Sequence, residues 1–200
     1  MVEKRENVIQ NLKQELDAEG FTGKGKARKW IVEKIRSLKR KPISKRVLAS
    51  QVRKGRASAA QIRGKMYFFN YDPKTKKKLP YYDTFPMIII LEMYKDGFLG
   101  VNLHYLPIKL RMSLLSKFMK LLTKTPPTEK SLARVRYKTI MNFAKYRGVK
   151  PCIKRYLSRH VKSQIVEIPA TEWEIAAALP LARFKKEKES VVHRESTKNA

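Results

Sequence analysis

Acidic residues are in short supply in this chain. It carries 17 Asp and Glu against 46 Lys and Arg in 200 residues, a formal net charge of +29. Four of the acids are Asp: Asp17, Asp72, Asp83 and Asp96. Cysteine is scarcer still. Cys152 stands alone, which excludes an intramolecular disulfide and makes a reducing compartment the natural setting. The three histidines, His104, His160 and His193, are scattered and give no zinc-ligand spacing. No metal and no cofactor is expected. Neither a Walker-type loop nor a G-x-G-x-x-G occurs, so nucleotide cradles of those kinds are excluded. No apolar run approaches membrane-spanning length, and no lipidation motif or amphipathic segment with a bulky aromatic face is found. Met1 to Gly20 is charged throughout, unlike a secretory leader. No membrane partner is expected.

What the chain does have is enough apolar material for a core and a surplus of positive charge. Hydrophobic residues make up 42% and aromatics 10%, which separates it from a disordered basic tail. Like charges at this density repel, and the compact state loses stability unless a polyanion neutralises them. DNA and RNA present dense negative charge, and neutralising their phosphates releases condensed counterions. A nucleic-acid partner held through its phosphate backbone is therefore favoured over a merely solvated basic surface.

The expected organisation is a basic helical N-terminal arm over 1–61, an α+β core over 62–184 and a charged flexible tail over 185–200. Residues 1–20 read as a short, mildly acidic helix, broken by glycines at 20, 23 and 25. Residues 24–65 then hold 16 Lys or Arg and one acid, Glu33. Ala27 to Arg40 has helical periodicity. Ala27, Ile31, Ile35 and Leu38 form a narrow apolar stripe, with Lys26, Lys29, Arg36 and Arg40 opposite. Trp30 lies between the faces, placed either to stack on nucleic acid or to fix the helix to the core. Pro42 ends this helix, and a second over Ser44 to Arg56 carries Lys45, Arg46, Arg53, Lys54 and Arg56. A fully solvated arm has no use for an apolar stripe, so a helix pair ordered by nucleic acid is the favoured reading.

Residues 66–107 hold ten of the nineteen aromatics. Met66 to Tyr71 reads as a strand and Asp72-Pro73-Lys74-Thr75 as a turn. Phe85 to Met93 is a second strand, whose run Met87-Ile88-Ile89-Ile90-Leu91 implies burial on both faces. Lys95-Asp96-Gly97 is a tight turn with glycine expected at positive φ. Phe98 to Tyr105 alternates as a third strand. Short strands and tight turns point to a small antiparallel β-barrel or sheet. Tyr81 and Tyr82 follow a Lys76-Lys77-Lys78 loop. Packing on the sheet is their favoured role. Stacking on bases of single strands or frayed ends is the alternative.

C-terminal helices follow. Ile108 to Leu122 is amphipathic, a second helix runs from Thr128 to Arg147, and a third is expected to open near Pro151, which suits a first helical position. Gln164 to Ile168 reads as a strand. Thr171 to Glu174 reads as a capping box before a helix over Trp173 to Leu179. On the 128–147 helix, Lys130, Arg134, Lys138 and Lys145 lie roughly opposite Leu132, Val135, Ile140 and Phe143. Lys154, Arg155 and Arg159 extend the basic run, so that from 130 to 162 there are eleven basic residues and no acid. Like charges at i, i+4 weaken a helix, and an external anion explains such a stripe better than solvation does.

Two other function classes need weighing. A metal-dependent nuclease needs clustered carboxylates. Asp83 and Glu92 flank a strand with Lys95 nearby, but the basic residue falls beyond the strand, and Asp72 and Asp96 sit in turns, where Asp is favoured for backbone reasons. A structural neck, tail or baseplate subunit with a basic surface is the other alternative.

Several long motifs carry a family resemblance. G-K-M-Y-F-F-N-Y-D-P-K (64–74), L-P-Y-Y-D-T-F-P (79–86) and D-G-F-L-G-V-N-L-H-Y-L-P (96–107) resemble the DNA end protector family of T4-like tailed phages. R-K-W (28–30), P-C-I-K-R-Y-L (151–157) and E-W-E-I-A-A-A-L-P (172–180) do so too. The resemblance spans about residues 28 to 184. It implies a virion protein without catalysis that binds the ends of packaged linear DNA and shields them from host exonuclease after injection. It also implies a part in head completion, contacts with portal, neck or other virion proteins, and presence in the host cytoplasm during assembly. It assigns no binding residue by position.

Overall fold

The structure is a computed structural model that describes residues 62–123, 142, 149–168 and 170–198. The basic arm, with its cations from Lys26 to Arg56 and Trp30, lies outside the described residues. So does the basic stripe of Lys130, Arg134, Lys138 and Lys145.

The core is an α+β arrangement around a five-stranded antiparallel sheet. Its strands are β1 (Met66–Phe68), β3 (Met87–Tyr94), β4 (Gly97–Asn102), β5 (Ile153–Leu157) and β6 (Val166–Ile168), in the order β5-β4-β3-β1-β6. A two-stranded ribbon pairs β2 (Tyr82–Asp83) with β7 (Phe184–Lys185). The sheet is open, with β5 and β6 at its edges, so the barrel alternative is excluded. Among the described residues three α-helices accompany it: α1 (Ile108–Thr123), α2 (Trp173–Ala178) and α3 (Glu189–Thr197).

The apolar run of β3 is buried on both faces, as its composition implies. Met87, Ile89 and Leu91 join Met66 and Phe68 in one cluster, which is completed by Met112 and Leu115 of α1, Trp173, Ala176 and Ala177 of α2, and Val192 of α3. Ile88 and Ile90 join Tyr67, Phe69, Phe98 and Tyr156 in a second cluster on the opposite face. The register between β3 and β4 shifts between Ile90 and Glu92. This irregularity puts Met93 on the same side as Ile90, because inserting one residue reverses the alternation of faces.

Five details depart from the sequence reading. Gly97 is not at positive φ; the one described glycine there is Gly64. Gly97 is required instead by crowding, since a Cβ on it would lie 1.9 Å from the carbonyl oxygen of Tyr156 on the neighbouring strand. Residues from Pro151 onward do not form a third long helix. Lys150–Cys152 make a single 3₁₀ turn with proline at its start, and the chain then runs as β5 along β4. Sheet pairing and the burial of Tyr156 override the local helix-start signal. Ahead of α2, Ala170–Glu172 form a 3₁₀ turn, and Glu172 at the N-cap makes no side-chain cap bond. Trp173 anchors this start by donating its indole N–H to the Ile168 carbonyl at 2.8 Å. The charged tail is not free: Glu189–Thr197 is the helix α3, with Val192 and Ser196 buried. Met66–Phe68 and Gly97–Asn102 are shorter than the strands expected there, and Leu103–Tyr105 is a 3₁₀ turn.

The crowding at Gly97 gives a test. Gly97→Ala forces β4 and β5 apart and should cost roughly 1–3 kcal/mol or more, read as a lower denaturant midpoint. An unchanged midpoint would contradict this packing.

Candidate nucleic-acid interface

The cations that sequence places far apart converge beside β5. The loop over 74–78 is exposed and presents Lys74, Lys76, Lys77 and Lys78. Lys154 and Arg155 follow on β5, and Arg159 is exposed in the 3₁₀ turn Ser158–His160. Between the loop and β5 lies a cleft of about 360 Å³, lined by Lys74, Tyr81, Tyr82, Tyr105, Lys154 and Arg155 among others. Tyr71 and Tyr156 also contribute to its lining; both are buried, as is Tyr105.

These cations are not equivalent. Lys76 pairs with Asp72, its ammonium 2.9 Å from Oδ1; both groups are well exposed, and such a pair adds little stability. Arg155 forms an ion pair with Asp96 and lies 4.1 Å over the ring of Tyr94. Lys154 is half-buried, with its ammonium 4.4 Å from the centre of the Tyr105 ring. It has no carboxylate partner among the described residues. Burial pushes its pKa below the ordinary lysine value, because a desolvated ammonium loses hydration. Lys186, which sequence reading did not single out, has φ 74°. It donates to the carbonyls of Lys77 at 2.9 Å and Leu79 at 2.6 Å, fastening the basic loop to the β2–β7 ribbon.

Tyr81 packs against the core, the role favoured for it. Its ring packs at 6.0 Å from Tyr105 and 6.5 Å from Phe184, yet it lines the cleft. Burial and a hydrogen bond with Glu195 push its hydroxyl up to about 12. Tyr82 is half-buried opposite Lys185 in the ribbon.

The cleft wall is held by Asp83, whose residue is 4% exposed. Oδ2 accepts from His104 Nδ1 at 2.7 Å and from Asn102 Nδ2 at 3.2 Å. Oδ1 accepts the backbone N–H of Phe85 at 2.9 Å and of Arg183 at 3.2 Å. A carboxylate only accepts, so Nδ1 of His104 carries the proton. Burial pushes the Asp83 carboxyl upward, but the adjacent His104 and the hydrogen bonds from His104, Phe85 and Asn102 outweigh it and hold its pKa below the ordinary value. Asp83 is therefore bound up in the fold, Glu92 accepts from the Tyr94 hydroxyl on β3, and Lys95 is exposed in the turn. Among the described residues no three His, Cys, Asp or Glu side chains could jointly hold a metal ion. Cys152 is buried, and burial pushes its thiol up to about 12, so it is a core residue.

Behind this wall Arg111 is fully buried. It donates to the carbonyls of Leu106 at 2.6 Å and His104 at 3.2 Å, and to Glu189 at 3.3 Å. His193 Nε2 lies 2.9 Å from the same His104 carbonyl. Arg111 thus ties α3 to the turn that carries His104 and Tyr105.

Asp83 makes stability depend on pH. Its folded pKa lies below its unfolded value, so its contribution is complete above the unfolded value near 4 and is lost as pH falls through the folded value. Asp83→Asn removes the buried charge opposite His104 and should cost roughly 3–5 kcal/mol at neutral pH. Thermal melts of both proteins should show a gap that is constant above about pH 5 and narrows below about pH 4. A gap independent of pH down to acid unfolding would show that the ionised carboxylate contributes nothing.

Compared with known protein families, the chain matches the one described as Phage T4 terminal DNA protecting protein over residues 3–199. A search of curated proteins found no match, and a search of solved structures found none either. The family match runs almost from end to end, and this chain belongs to the phage T4 terminal DNA protecting protein family.

Proposed function

We propose that this protein binds the ends of linear phage DNA through its phosphate backbone and shields them from host exonuclease, without cleaving DNA itself. The observation that carries the proposal is a net charge of +29 on a chain of this family. Protection needs tight phosphate contact that is independent of sequence, and Lys and Arg supply it. The arm over 1–61 adds a second set of cations, Lys26, Lys29, Arg36, Arg40, Lys45, Arg46, Arg53, Lys54 and Arg56, and Lys130 to Lys145 a third. We place the protein in the virion, where the same surface meets packaged DNA, and in the host cytoplasm during assembly and after injection. Portal or neck proteins are its proposed neighbours, with a part in completing the head.

Support for a role without catalysis comes from Asp83. Its carboxylate is filled by four internal donors, which leaves it poorly suited to hold a catalytic metal ion.

The test is exonuclease digestion of linear double-stranded DNA with and without the protein, with Mg²⁺ present and across a salt series. Protection at a low ratio of protein to ends is expected. Affinity should fall with salt with a log–log slope of about 0.9 per phosphate contacted. Protection only when the whole duplex is coated would reduce the protein to a general DNA-binding or structural subunit. Loss of DNA without added exonuclease would overturn the reading.

A further inference from the structure

We propose that the tyrosine-lined cleft beside β5 receives the terminal nucleotide of a DNA end, its base against the rings of Tyr81 and Tyr82 and a phosphate on the ammonium of Lys154. The proposal depends on the end-binding reading above and adds the place where an end is told from interior duplex.

Size is the first argument. At about 360 Å³ the cleft falls at the small end of the roughly 300–1,000 Å³ typical of ligand pockets. That is room for one nucleotide, and a duplex cannot enter. A base must leave the stack to reach such a site, and the cost of unpairing is least where a nucleotide is already frayed. An end satisfies that condition and interior duplex does not.

Chemistry is the second. Every base has a π face, so aromatic walls accept any terminal base, as protection of ends requires. Lys154 is a cation drawn partly out of water over the Tyr105 ring, without a carboxylate partner among the described residues. A phosphate in the cleft would replace the hydration it has lost. Asp83 also lines the cleft, but both of its oxygens are occupied by internal donors, which limits its repulsion of a phosphate.

A lysine on an edge strand has another possible explanation, because charged side chains on edges deter pairing with a second sheet. That use needs the charge to project into solvent. Lys154 is half-buried and lies over a ring, whereas its neighbour Arg155 is exposed and suits that role.

The experiment uses the full chain and two duplexes of the same sequence. One has an open, 5′-phosphorylated end, and the other is closed into a dumbbell by hairpins. 5-Iododeoxyuridine is placed either at the end or at mid-duplex, cross-linked by light, and its adducts are mapped by mass spectrometry. The terminal probe should label Tyr81 or Tyr82, and the interior probe neither. Lys154→Gln should weaken binding to the open end by about tenfold and binding to the dumbbell by less, so that the preference for open ends falls. This substitution removes a desolvated charge, so the fold should survive it; if melting shows otherwise, the cross-link map alone decides. Terminal adducts mapped outside the cleft, or a folded Lys154→Gln variant with the wild-type preference for open ends, would overturn the proposal and leave end binding standing. Equal wild-type affinity for open and closed duplexes would overturn both.

Discussion

A carboxylate sealed inside a strongly basic protein has to be surrounded by donors, and at Asp83 those donors come from four separate positions. His104 and Asn102 bind it from the end of β4 and the turn that follows, Phe85 from the next bend of its own segment, and Arg183 from the approach to β7. Together they pin the β2–β7 ribbon to the main sheet. Tyr81 and Tyr82 stand beside Asp83 in sequence, and Tyr105 follows His104, so the same bonds hold in place the tyrosines that line the cleft, with Tyr81 packed on Tyr105. Arg111 supplies the complementary constraint. It is a buried cation that survives only by holding carbonyls and Glu189, and it thereby fixes α3 behind the turn carrying Tyr105.

Two of the scarce acids, Asp83 and Glu189, are thus used inside the protein. Asp72 and Asp96 pair with Lys76 and Arg155 at the surface. Few acids are left to balance the rest of the chain, and the surplus of Lys and Arg has no internal solution. A protein in this condition repels itself when alone and gains when a polyanion releases its counterions onto binding. Charge supplies affinity without choosing a position along DNA. The cleft beside β5 is where a choice of position can enter, because its walls address a base and its lysine a phosphate.

Much of the core was legible in sequence because its signals are local. The run Met87 to Leu91 announces a strand buried on both faces, and both core clusters do draw on it. The alternation after Gly97 finds β4, and the periodicity after Pro107 finds α1. What was missed depends on partners distant in the chain. Pro151 carries a helix-start signal, yet pairing with β4 makes a strand of the residues after it. The tail reads as solvated from its charge, but Val192 and Ser196 at i, i+4 mark a face that docks. Asp83 and His104 are 21 residues apart and Arg111 and Glu189 are 78 apart, so neither pair leaves a spacing to notice. The cleft combines residues from 71–83 with Tyr105 and 154–157, and only the fold brings the Lys76-Lys77-Lys78 loop near Lys154 and Arg155.

The central claim is that a DNA end, and not merely DNA, is what this protein holds. It is tested most directly by counting bound molecules on linear duplexes of increasing length, at a salt concentration high enough to suppress coating. The account predicts a tight-binding stoichiometry fixed by the two ends and unchanged as the duplex grows. A stoichiometry that rises in proportion to length would contradict it, leaving a protein that coats phosphate wherever it finds it.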